Sequence, residues 1–549
     1  MRTLILTAAA MLASAASATP PIMPPGPPPS PPPRLLVVIS VDQLSSELFE
    51  QYRPQFTSGF TRMQLGTSFL NAYQSHAATE TCPGHSTLLT GARPATTGIV
   101  ANGWLDQSVA RTDKSIYCAE DERVAGSTYR DYSVSPEHLR SATLGDRLKA
   151  RVPAARNVAV AGKDRAAVMM SGRAVDQRWY WDGKRFATDL KGVAEPRSVT
   201  AVNAALDRSL AQPSAPLEPP AVCAGRARPY ALTPELTVGA GRLERAAGDR
   251  RAFRAHPDFD GAVLALAAGL VEELRLGRGD ATTDILSIGL SASDYVGHSY
   301  GNRGQEMCLQ MLALDRELGD FFAVLDRSGV DYAVALTSDH GAMDIPERLR
   351  DQGIAGAARV DPALMGPAVG KAIGARLGLA GPVILGDNAA GDLWIDDALP
   401  ARDQARALAA AVAHYRAHPQ VAAVFTNAEL AGSPPPSGDV RNWDLRARAK
   451  ASFDPARSGD LVVLLKEYIS PIAEPQAGYV ATHGTPWDYD RRVPVLFWRR
   501  GTPASASAEA IETIDLMPTL AAMIGLPLDP PAVEAKCLTG IWRTACPPR

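Results

Sequence analysis

From Leu35 to Val41 (LLVVISV) the chain is unbroken apolar and largely β-branched, and the run stops at Asp42. A segment with no polar face is what a parallel strand covered on both sides requires. The same pattern returns at Asp284 to Leu290 (DILSIGL), just before Asp294, at Tyr332 to Leu336 (YAVAL), before Asp339 and His340, and at Asn157 to Ala161, before Lys163 and Arg165. Between strands the period changes. Met307, Met311, Leu314, Leu318, Phe321 and Leu325 follow helical spacing, and Gly329 ends the helix. Asp260 to Leu276 is a second amphipathic helix, with Val263, Leu266, Leu270 and Leu274 on one face. Asp515 reads as the N-cap of a short helix reaching Ile524, with Pro518 in its first turn and Gly525 beyond. Strands alternating with helices predict an α/β fold, a doubly wound α/β/α sandwich around a mostly parallel sheet. Residues 102–256 and 346–471 fit that alternation poorly and are expected to be insertions forming a cap.

At 549 residues and 46% apolar composition the chain can bury a large core. Its net charge of -3, with no Lys/Arg run, argues against an obligate nucleic-acid partner. The start changes the picture more. Arg2, the apolar stretch Leu4 to Leu12 and Ala16-Ser17-Ala18 have the form of an export signal over residues 1–18, with a mature chain from about Thr19. A proline-dominated tether, 19–33, follows, and residues 34–549 would be the catalytic domain. No apolar segment is long enough to span a bilayer, so a periplasmic or secreted protein is expected. Six cysteines suit disulfides in that setting; Cys537 and Cys546 could close a small loop, and the other pairings stay open, as does the oligomeric state.

Candidate chemistry gathers behind the strands: Asp42, then Asp294-x-x-x-His298, then Asp339-His340-Gly341, then His483-Gly484. A D-x-x-x-H spacing across one helical turn lets both side chains reach one ion, and zinc accepts such a mixture of nitrogen and oxygen. Each piece alone has an ordinary explanation as a helix cap or a hydrogen-bonded histidine. Thr81, in Thr81-Cys82-Pro83-Gly84-His85, precedes a short helix expected at Thr87 to Thr90, so its hydroxyl lies near free backbone N–H groups that favour an anion. Thr79 is a nearby competitor without the following Pro-Gly-His, and Cys82 beside the hydroxyl has no evident role.

The ordered set of Asp42, Thr81-x-Pro-Gly-His, Asp294-x-x-x-His298, Asp339-His340-Gly341 and His483-Gly484 resembles the alkaline phosphatase superfamily, in its branch related to nucleotide pyrophosphatases/phosphodiesterases. Asn102-Gly103 and Lys163-Asp164-Arg165 are similar to the PafA-type, phosphate-irrepressible alkaline phosphatases with a threonine nucleophile. That resemblance implies two zinc ions: Asp294, His298 and His483 on one, and Asp42, Asp339, His340 and the Thr81 oxygen on the other. It implies substrate contacts from Asn102, Lys163 and Arg165, a phosphothreonine intermediate, and small-molecule phosphate monoesters as substrates. Charge supports the monoester. Two Zn²⁺ balance Asp42, Asp294, Asp339 and a Thr81 alkoxide, and Lys163 with Arg165 then match a dianion. A phosphodiesterase or nucleotide pyrophosphatase with the same metals is the rival expectation, and a non-catalytic zinc- or phosphate-binding exported protein a more distant one.

Overall fold

The computed structural model describes residues 31–279, 283–528, 534–542 and 546. The expected export signal and most of the proline tether therefore lie outside the described residues. Among the described residues no helix is long and apolar enough to cross a membrane.

Nine strands form the path of the central sheet: β1 (Leu35–Val41), β2 (Thr67–Tyr73), β3 (Asn157–Ala161), β4 (Gln177–Trp181), β5 (Phe186–Ala187), β6 (Asp284–Leu290), β7 (Tyr332–Thr337), β8 (Arg492–Arg499) and β9 (Ser505–Ser507). Their order is β9-β2-β8-β7-β1-β6-β3-β4-β5, with Ile511–Glu512 added beside β2. The heart of the sheet is parallel: β1 pairs β6 and β7, β3 pairs β6 and β4. Only β8, between β7 and β2, and the edge strand β5 run antiparallel. Alternation along β1 sends Leu35, Val37, Ile39 and Val41 into one apolar cluster and Leu36 and Val38 into another. Both faces are thus covered, as the unbroken apolar run requires.

Five helices position the site: α1 (Thr81–Leu88), α2 (Asp164–Ser171), α3 (Pro257–Glu273), α4 (Ala292–Tyr300) and α5 (Gln305–Ser328). Gly329 closes α5 with φ 71°, a left-handed cap that costs glycine little. Asp515 does stand before a helix, Leu516–Met523, but its carboxylate caps other groups, accepting from the backbone N–H of Glu512 and Lys536.

The two regions expected as a cap behave differently. Within 102–256, residues 144–187 are not a cap. Their strands β3, already visible as an apolar run, and β4 extend the main sheet beyond β6. The remainder supplies two short hairpins, including Gly103–Leu105 against Ser115–Tyr117. Residues 346–471 build their own four-stranded sheet and a separate apolar core with the helices Gly366–Leu377 and Ala401–Ala417. Disulfides join Cys82 to Cys118, Cys223 to Cys308 and Cys537 to Cys546.

Candidate active site

The parallel strands deliver their following residues to one edge of the sheet, the place where open α/β folds form clefts. Asp42 follows β1, Lys163 follows β3, Asp294 and His298 lie one turn apart on α4 after β6, and Asp339 and His340 follow β7. His483 comes from the loop leading into β8; because β8 is antiparallel, that loop sits at the same edge. Gln43, in the left-handed region at φ 69°, donates its backbone N–H to Asp339 Oδ1 at 3.2 Å. His340 N–H donates to the same oxygen at 3.0 Å, which leaves Asp339 Oδ2 facing the cleft.

Two sets of possible metal ligands result: Asp294, His298 and His483, and Asp42, Asp339 and His340. In each set the ligating atoms all lie within 4.8 Å of one another. The histidines are oriented from behind. Nδ1 of His298 is 2.8 Å from the Ala481 carbonyl, Nδ1 of His340 is 2.9 Å from that of Gly341, and Nδ1 of His483 is 2.8 Å from that of Thr79. A carbonyl only accepts, so each Nδ1 carries the hydrogen and each Nε2 offers a lone pair inward. His298 and His483 present Nε2 to Asp294 Oδ1 at 3.2 and 3.4 Å, and His340 to Asp339 Oδ2 at 3.3 Å and Asp42 Oδ1 at 3.5 Å. The rings of His340 and His483 stack at 3.6 Å, bringing the two sets side by side.

Lys163 lies between them. Its Nζ is 2.5 Å from Asp42 Oδ2, 2.6 Å from Asp294 Oδ2 and 3.4 Å from Thr81 Oγ1, in a fully buried setting. Burial opposes its charge, but the Asp294 and Asp42 carboxylates hold its pKa above the ordinary value. Burial also resists ionisation of Asp294, while the Lys163 ammonium beside it favours the carboxylate form. Asp42 is pushed the other way, first by burial and then by the neighbouring Asp339 charge. Three buried carboxylates thus face one buried ammonium. Asp42 Oδ1, Asp339 Oδ2 and His340 Nε2 are buried without a hydrogen-bond partner. An excess of buried negative charge beside fixed imidazole lone pairs is costly unless cations join it, so the donor set fits two divalent metals.

The helix that carries Thr81 differs from expectation. It begins at Thr81, not Thr87, with Glu80 as N-cap. Pro83 fits the first turn because its missing N–H would have no helical acceptor there. Gly84 is dictated by closeness, since a Cβ on it would stand 2.1 Å from the Asp339 carbonyl oxygen. His85 Nδ1 lies 2.9 Å from the Thr81 carbonyl and 3.1 Å from Asp339 Oδ2, which places the ring between the helix and that carboxylate. Asn102 accepts at Oδ1 from Cys82 N–H (2.8 Å), leaving its NH₂ as the free donor, while its own backbone N–H donates to Glu80 Oε2 at 2.7 Å.

Cys82 now has a role: its disulfide anchors α1 to Cys118 at the end of the Ser115–Tyr117 strand. From there Tyr117 OH donates to Asp164 Oδ1 and Tyr132 OH to Asp164 Oδ2, both at 2.8 Å, gripping the residue between Lys163 and Arg165. Arg165 in turn donates to Tyr117 OH at 3.4 Å. Sequence reasoning missed Glu80, Tyr117, Tyr132 and Cys118; the even cysteine count was the only signal for any of them. Lys163 and Arg165 open onto a cavity of about 740 Å³.

A threonine hydroxyl at a helix start, a buried ammonium and two adjacent sets of possible metal ligands thus share one edge of the sheet. Residues 36–486 match the type I phosphodiesterase / nucleotide pyrophosphatase family, and the chain belongs to it. Within that breadth it is an enzyme of the alkaline phosphatase kind. It is 50% identical to the alkaline phosphatase PhoK of a Sphingomonas species over 91% of this chain and 90% of that one. It is 46% identical to PhoD of Zymomonas mobilis, over 91% and 87%. The crystal structure of the alkaline phosphatase PafA superposes with a TM-score of 0.79 at 24% identity, covering 93% of this chain and 99% of that one, and shares the fold.

Proposed function

We propose that this chain hydrolyses phosphate monoesters to inorganic phosphate and alcohol, with Thr81 as nucleophile. The observation that carries the reading is Lys163: one ammonium touches Thr81 Oγ1, Asp42 and Asp294 at once, so hydroxyl, cation and both ligand sets share one point. The naming of PhoK and PhoD as alkaline phosphatases supports it. Asp294, His298 and His483 would hold one zinc, and Asp42, Asp339, His340 and Thr81 the other. Bound there, the pair would supply the positive charge that favours ionised oxygens on both sides of phosphorus.

The chain's own groups do the rest. Thr81 Oγ attacks phosphorus in line, the bond to the alcohol oxygen breaks, and a phosphothreonine forms. Water then attacks that phosphorus from the vacated side, releasing phosphate and restoring the hydroxyl. Lys163, Arg165 and the Asn102 NH₂ hold the non-bridging oxygens, where phosphoryl transfer offers mainly charge to stabilise. The two added cations favour a dianionic monoester over a monoanionic diester, which separates this reading from a phosphodiesterase using the same ligands. An exported enzyme fits the three disulfides, which persist in oxidising compartments. The test is hydrolysis of p-nitrophenyl phosphate at alkaline pH. Activity should vanish in Thr81→Ala and on chelation and return on adding zinc; activity surviving both treatments would overturn the mechanism.

A further inference from the structure

Beyond the phosphate site the large cavity carries charge that hydrolysis of a simple monoester does not need. Arg254, at the end of the helix Arg250–Arg254, lines it together with Lys163 and Arg165. Among the described residues no carboxylate pairs with Arg254. It is held instead by Tyr295, whose ring centroid lies 4.7 Å from its guanidinium carbon and whose hydroxyl accepts from Nη1 at 3.5 Å. Lys163 Nζ contacts the same ring at 5.1 Å, so the two cations stand within about 10 Å of each other. Arg165 also lacks a carboxylate partner among the described residues, and its Nε is buried without an acceptor.

Among the described residues none of the acidic groups of the cavity wall lies within ion-pair distance of Arg254, and all but the exposed Asp131 are occupied. Asp189 is paired with Arg178, Asp121 with Arg123, and Asp164 with the two tyrosines. Asp182 accepts from the backbone N–H groups of Lys184 and Arg185. An aromatic ring can hold a guanidinium in place but leaves its hydrogen-bonding edge open to an anion.

We propose that Arg254 forms a subsite for a second anionic group of the substrate, so that the enzyme favours phosphate esters carrying another phosphate or carboxylate within about 10 Å of the reacting phosphorus. This rests on the monoesterase reading and deepens it: Tyr295, next to Asp294, sets the spacing between the reacting phosphate and the second anion.

The experiment compares kcat/KM for butanediol bisphosphate and butyl phosphate, two esters of matched leaving group, in the wild type, Arg254→Gln and Arg254→Lys. The wild type should prefer the bisphosphate by about tenfold, the worth of one hydrogen bond to a charged group. Arg254→Gln should reduce that ratio to about the twofold expected from having two phosphates, Arg254→Lys should retain part of it, and added salt should weaken it. A wild type that cleaves both esters with equal efficiency, or a preference that survives Arg254→Gln, overturns the subsite alone. If neither ester is cleaved, the monoesterase reading falls and takes the subsite with it.

Discussion

Replacing Cys82 and Cys118 together by alanine tests whether the helix carrying Thr81 and the segment carrying Lys163 and Arg165 are one mechanical unit. The bond spans a sequence separation of 36, and the chain-entropy estimate for a loop of that size is about 4 kcal/mol of stability at 25 °C. Unfolding entropy scales with length, so in a chain of 549 residues each kcal/mol moves Tm by about 1 °C and the variant should melt about 4 °C lower. Function should change as well. Tyr117 is the residue before Cys118 and holds both Asp164 and Arg165, so freeing the hairpin should loosen the grip on phosphate. Loss of roughly one well-placed hydrogen bond would raise KM for a monoester by about five- to tenfold. Removing the Cys537–Cys546 bond is the control: its separation of 9 is worth about 2.5 kcal/mol, and it lies outside the site. Thermal melts and steady-state kinetics of both variants decide the matter. A Cys82/Cys118 variant with Tm and KM equal to wild type, or a KM that rises equally in the control, would refute the coupling.

The remaining predictions concern charge. Replacing Lys163 and Arg165 together by glutamine should lower monoester kcat/KM by about 10²- to 10⁴-fold, from two charge-assisted hydrogen bonds, with a much smaller loss on a diester; equal losses would remove the charge argument. Asp515 is pushed by burial from its ordinary 3.8 to about 7. Its folded pKa is raised, so its contribution to stability is full below about pH 4 and is lost as pH rises through 7. The Tm of Asp515→Asn relative to wild type should therefore climb between about pH 4 and pH 7 and level off above, and a flat or falling difference across that window would contradict this.

Much of this architecture could be read from the chain because parallel strands announce themselves. β1, β3, β6 and β7 are buried on both faces and so are largely apolar, and a residue that faces the cleft follows one to four positions after each of them. The elements that escaped are those whose identity comes from distant partners. β8 enters the sheet antiparallel between β7 and β2, a pairing that no local pattern encodes. The first turn of α1 escaped because Pro83 and Gly84 read as loop residues, whereas one is tolerated at a helix start and the other is demanded by the Asp339 backbone. Asp42, Asp294, Asp339 and their histidines could be picked out by spacing, and their division into two sets came from the family resemblance; the stacking of His340 on His483 and the Lys163 bridge are properties of the assembled cleft. Glu80, Tyr117 and Tyr132 act through neighbours and carry no motif of their own.

The central claim is that Thr81 carries the phosphoryl group between substrate and water. The most direct test is to quench the zinc-loaded enzyme in acid during turnover of a monoester and to map phosphate by peptide mass spectrometry. The account predicts one phosphoryl group on the peptide containing Thr81, on that side chain, and none in Thr81→Ala. Phosphate on Thr79 or another residue, or turnover by Thr81→Ala at the wild-type rate, would contradict it.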